Sequence, residues 1–125
     1  MKINFKMLVA AAALTCFSAV ASAQFKMDSN GRSISNAGGA TVGKIESDGK
    51  TVSNANGATL GKVGSDGKTI SNRNGATVLK VSGNAISNAN GATIASMNDV
   101  TNSIKGAKAE PIYVALWWFV VKGNK

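Results

Sequence analysis

Histidine is absent from this 125-residue chain, and cysteine and proline occur once each. Without imidazole there is no ordinary base for a serine or cysteine nucleophile and no common zinc site, which removes much hydrolytic and metal-assisted chemistry. Acids are scarce too, 6 Asp+Glu against 14 Lys+Arg. They stand singly, so neither a catalytic carboxylate pair nor a calcium loop is indicated. None of the aromatics falls between Met27 and Met97, so a sheet built there offers no platform on which bases stack. These absences predict a non-enzyme with no cofactor, no metal and no nucleic-acid partner. An apolar fraction of 44% excludes a wholly disordered chain, and the length suits one domain.

What is present begins with an export signal. Lys2 and Lys6 precede an apolar run from Met7 to Val20, and Ala21-Ser22-Ala23 has the small-x-small form of a cleavage site. The run is too short to span a bilayer with a soluble flank, because crossing takes about 20 apolar residues. Residues 1–23 are therefore expected to be removed and the mature chain to start at Gln24. Cys16 follows Thr15 rather than the small residue that precedes a lipidated cysteine, so it leaves with the signal. Export places the protein in the periplasm, the outer envelope or the medium. The mature chain keeps 12 basic and 6 acidic residues, net charge +6. That is either a solvated lysine-bearing surface or an attraction to an anionic envelope component, a lipid headgroup or a glycan.

From Phe25 to Met97 one unit occurs four times. Ser35-Asn36-Ala37-Gly38-Gly39-Ala40-Thr41 returns from Ser53, from Ser71 and from Ser87, at offsets of 18, 18 and 16 residues. Asn56-Gly57, Asn74-Gly75 and Asn90-Gly91, with Gly38-Gly39 in the first copy, suit two-residue type I′ loops. A second set of reversals is Asn30-Gly31, Asp48-Gly49 and Asp66-Gly67, with Gly83-Asn84 in the shortened last interval. Two reversals per unit predict up-and-down strands of about six residues, rich in Val, Ile and Thr. A parallel solenoid or an amyloid-like ladder also fits such a period. The Asn-Gly and Asp-Gly tips and the frequent glycines and lysines favour hairpins over both.

Two-residue loops fix a register. Around Asn56-Gly57, Asn54 faces Thr59, Ser53 faces Leu60 and Val52 faces Gly61; around Asp48-Gly49, Ile45 faces Val52. One face then gathers Met27, Ile34, Ile45, Val52, Val63, Ile70, Val81, Ile86 and Met97 as the core. The other carries Val42, Leu60, Val78 and Ile94 among lysines and serines and is expected to be mostly wet. Asn36, Asn54, Asn72 and Asn88 fall on the core face, bonded to one another or to nearby backbone.

After Met97 a polar connector, Asn98 to Glu110, leads into ten consecutive apolar residues, Ile112 to Val121. In water such a run is an aggregation site, so it must be buried somewhere. Glu110-Pro111 is a good helix start, whereas the β-branched and Trp residues favour strand. A short helix is the expected form. Gly43 and Gly61 leave room on the core face for Tyr113, Leu116, Trp117, Trp118 and Phe119, each burying on the order of 1.5–3 kcal/mol of apolar surface. The segment is either an internal plug or an interfacial lipid anchor.

These tandem Ser-Asn-x-Asn-Gly-Ala-Thr units after a signal, followed by Ile104-Lys105-Gly106-Ala107 and the apolar end Val114 to Val121, resemble the 4-fold β-flower proteins of bacterial envelopes. The resemblance implies a mainly β fold, four tandem hairpins in a shallow pseudo-fourfold barrel with the C-terminal segment, helix or strand, buried at its centre. It implies no activity, substrate or catalytic residue. The domain would run over residues 24–100, with residues 101–125 packing on it. Lys26, Lys44, Lys62 and Lys80 would then form a candidate anion-binding ring, with Arg32, Lys50 and Lys68 as a second set near the turns. Two functions follow: a non-catalytic structural or binding module, or a membrane-interacting protein that inserts its Trp-rich segment into lipid.

Overall fold

The computed structural model describes residues 24–125, so the expected export signal, residues 1–23, and Cys16 lie outside the described residues. The Val-, Ile- and Thr-rich stretches form nine short strands: β1 (Phe25–Met27), β2 (Ser33–Ser35), β3 (Thr41–Ile45), β4 (Thr51–Asn54), β5 (Thr59–Val63), β6 (Thr69–Asn72), β7 (Thr77–Ser82), β8 (Ala85–Asn88) and β9 (Thr93–Ser96). A helix, α1 (Met97–Ser103), and a tenth strand, β10 (Ile104–Lys105), follow. The chain ends in α2 (Pro111–Leu116), which widens into a π-helical turn at Trp117–Val121. All ten strands lie in one sheet, ordered β9-β8-β7-β6-β5-β4-β3-β2-β1-β10. Neighbours are antiparallel except β10, which runs parallel to β1 because α1 intervenes.

The sheet is open, which corrects the shallow barrel that the resemblance implies. β9 and β10 are its two ends and do not pair with each other. α1 leaves one end, arrives at the other and touches both. The polar connector therefore contains ordered structure that composition alone concealed. Ser96 caps α1, its N–H donating to Asp99 Oδ2 at 2.9 Å.

The loops differ from the expected form in an instructive way. Asn54 N–H donates to Ala58 O, and Gly57 N–H to Asn54 O, so three residues rather than two make the connection. Only the glycine needs the left-handed region, Gly57 having φ 89°. Ser53 consequently faces Thr59, not Leu60, and Leu60 becomes the extra residue of a bulge that restores the expected Val52–Gly61 pair. The same irregularity recurs between β2 and β3 and between β7 and β6. Val42, Leu60 and Val78, the extra residues, are half-buried against the core, where a wet face was expected; Ile94, at the same irregularity between β8 and β9, is exposed, at 42%. At the second set of reversals four residues lie between Glu46 and Thr51, which still leaves Ile45 facing Val52. The shortened interval carries a true two-residue loop, Gly83-Asn84, with Ser82 facing Ala85.

The core face is the expected one. Ile34, Val52, Ile70 and Ile86 are fully buried and Ile45, Val63, Val81 and Met97 nearly so, while Met27 is half-buried. Asn36, Asn54, Asn72 and Asn88 do not bond one another. Each accepts two backbone N–H groups of its own turn, as Asn54 Oδ1 does from Asn56 at 2.9 Å and Ala58 at 3.0 Å. Ser35 and Ser53, expected on a wet face, are buried, donating their hydroxyls to Asp28 and Glu46.

Candidate functional site

The four lysines sit at equivalent places on β1, β3, β5 and β7, opposite the core face, with Lys44 half-buried and the others exposed. Hydroxyls flank them across the ladder. Lys44 lies between Ser33 and Ser53, Lys62 between Thr51 and Ser71, Lys80 between Thr69 and Ser87, and Lys26 beside Ser35. Because the sheet is open they follow an arc rather than a closed ring. The arc gains a member that repeat counting missed, since Lys105 pairs with Lys26.

The turn basic residues Arg32, Lys50 and Lys68 are exposed beside carboxylates or amides that serve the backbone. Asp48 accepts the N–H groups of Lys50 and Thr51 and the Thr51 hydroxyl, and Asp66 repeats this with Lys68 and Thr69. These bonds, the threonine hydroxyl first, lower both carboxyls to about 2. The aspartates are thus committed to their turns.

The C-terminal segment is helical and covers the core face, in contact with β3, β4, β5 and β6. Pro111 occupies the first turn after Glu110, whose carbonyl accepts the N–H of Tyr113 at 3.0 Å. Tyr113, Leu116, Trp117 and Phe119 are buried, and Trp118 is half-buried. Gly61 lies directly under the Phe119 ring, and a Cβ on Gly43 would lie 2.8 Å from Val120 Cγ2. The space left by the missing side chains is taken by Phe119 and Val120 of the tail. The π turn is closed by Lys122 N–H to Trp117 O at 2.9 Å, and Lys122 Nζ stands 5.3 Å from the Trp117 ring centroid.

Beside this segment a cleft of about 620 Å³ opens between β1, β9 and α1. Phe25, Ile94, Ala95, Trp117, Trp118 and Val121 supply its apolar lining. Gln24, Asp99, Asn102, Ser103 and Lys122 supply the polar part. The two indoles are 6.2 Å apart and inclined at 45°. Trp118 Nε1 is buried without a hydrogen-bond partner. Sequence reasoning named the tryptophans but not the α1 residues they meet. Ser96-Met97-Asn98-Asp99, a capping pattern, was the available signal. Among the described residues no group of three or more His, Cys, Asp or Glu could hold a metal, and no helix is long and apolar enough to cross a membrane.

Fold and site together define a small tandem-hairpin β protein covered by its own C-terminal helix. The family model described as 5-fold beta-flower protein matches residues 20–119, most of the chain, and the chain belongs to that family. The β-flower expectation holds at this level. The family's description is fivefold where the resemblance implied fourfold. No curated protein and no solved structure was found to match.

Proposed function

We propose that this protein is a non-catalytic, exported structural or binding module of the bacterial cell envelope. On this reading α1 and β10 take the fifth sector of the flower, and the C-terminal helix is the plug at its centre. The observation that carries the reading is the seating of Phe119 and Val120 over Gly61 and Gly43. The apolar segment finds its burial within its own molecule, which leaves little reason for Trp117 and Trp118 to seek lipid. The outer arc of Lys26, Lys44, Lys62, Lys80 and Lys105 is then the surface offered to an anionic lipid headgroup or glycan.

Tryptophan emission tests it. The mature chain should be soluble without detergent and emit at short wavelength in plain buffer. Adding vesicles containing phosphatidylglycerol should leave that emission unchanged, even where salt-sensitive binding is seen by sedimentation. A blue shift that appears only with vesicles would transfer the protein to the lipid-inserting class.

A further inference from the structure

The cleft at the unclosed side of the sheet has a lining whose chemistry selects a ligand. Asp99, Asn102 and Ser103 are three and four residues apart, so α1 presents them along one edge. Asp99 spends Oδ2 on the Ser96 N–H and hydroxyl, which leaves Oδ1 to accept from a ligand, and the exposed Asn102 amide can both donate and accept. The two indoles line the same cleft and give it flat apolar surface.

The charged groups at the cleft are Asp99, Lys122 and, in a mature chain that begins at Gln24, the α-amino group, so its charges nearly balance and no cluster of one sign is there to select a polyvalent anion. Its volume of about 620 Å³ falls among those of small-molecule sites. A sugar ring has the matching surface: apolar C–H faces, a rim of hydroxyls that donate and accept, and no charge.

We infer that the cleft between β1, β9 and α1 binds a neutral sugar, free or as a unit of an uncharged glycan. This goes beyond the envelope-module reading, since the site is separate from the lysine arc and its binding is not electrostatic.

The chain's only two tryptophans both line the cleft, so their emission reports on it. The mature chain is titrated with neutral trisaccharides built on glucose, galactose, mannose and N-acetylglucosamine, at low salt and again at high salt to screen the arc. A saturable emission change with at least one of them, equal at both salt concentrations, is expected. Asn102→Ala should weaken it about tenfold without moving the melting temperature, and Lys44→Ala should leave it unchanged. No saturable change with any of the four at about 10 mM, or one that Asn102→Ala leaves intact, overturns the inference. So does a response to inorganic phosphate in their place. The vesicle experiment can fail while this one succeeds, and the reverse, so the two readings fall separately.

Discussion

Gly61 shows how much an absent side chain can decide. A methyl group there would overlap the Phe119 ring, so Gly61→Ala must displace the helix or strain the strand. Overpacking of this kind costs about 1–3 kcal/mol, a fall in Tm of roughly 5–20 °C for a domain of this size. Gly57→Ala isolates the other reason for glycine. Nothing lies within 4 Å of a Cβ there, but φ is 89°, so the cost is about 1 kcal/mol of backbone strain. Thermal melts should rank the two, and only Gly61→Ala should also shift the tryptophan emission. The pairing of small residue and bulky tail was legible in the sequence. Phe119 was among the residues expected to fill the space, but Val120 and the one-to-one pairing were not legible, because both reach their glycines through a π turn that no propensity announces.

Among the hairpins, the turns are held by side chains that accept backbone N–H groups. Asn30 does for Arg32 and Ser33 what Asp48 does for Lys50 and Thr51. Amide and carboxylate are interchangeable toward the backbone, but toward the hydroxyl they are opposite: Asn30 Nδ2 donates to Ser33 Oγ, whereas Asp48 Oδ2 accepts from Thr51 Oγ1. Asp48 and Asp66 are lowered in the folded state from 3.8 to about 2. Their contribution is therefore complete above about pH 4 and is lost as pH falls toward 2. Melting curves should show stability declining across that window, and the double variant Asp48→Asn, Asp66→Asn should show a flatter decline. The positions of the turns were readable from Asn-Gly and Asp-Gly. Loop length was not, because three-residue loops with a compensating bulge preserve the Val52–Gly61 pairing that two-residue loops also predict. Periodicity on the core face is therefore blind to the difference.

For the molecule as a whole, the C-terminal segment is part of the fold rather than an appendage. A chain lacking residues 112–125 loses Tyr113, Val114, Leu116, Trp117 and Phe119 from the core at once. Each is worth on the order of 1.5–3 kcal/mol, against a total stability of about 5–15 kcal/mol for a domain. The truncated protein should fail to give a cooperative melt or dispersed amide resonances. The sequence repeat revealed the four tandem hairpins and the inward face of their strands. It was silent on α1 and β10, because a unit that occurs once leaves no echo, and so the cleft formed beside them was silent too.

The positions equivalent to Gly61 are Gly43, Leu79 and Ala95 in the other three copies of the motif, and Phe25 ahead of the first copy. Nearly everything else in the units is interchangeable, so a docking helix could mistake one strand for the strand 18 residues away. In chain order their sizes are large, none, none, large and small, and the tail sits over the two that have no side chain. Rewriting that order, with leucine at 61 and glycine at 79, would give the tail a different place to land on an otherwise unaltered sheet.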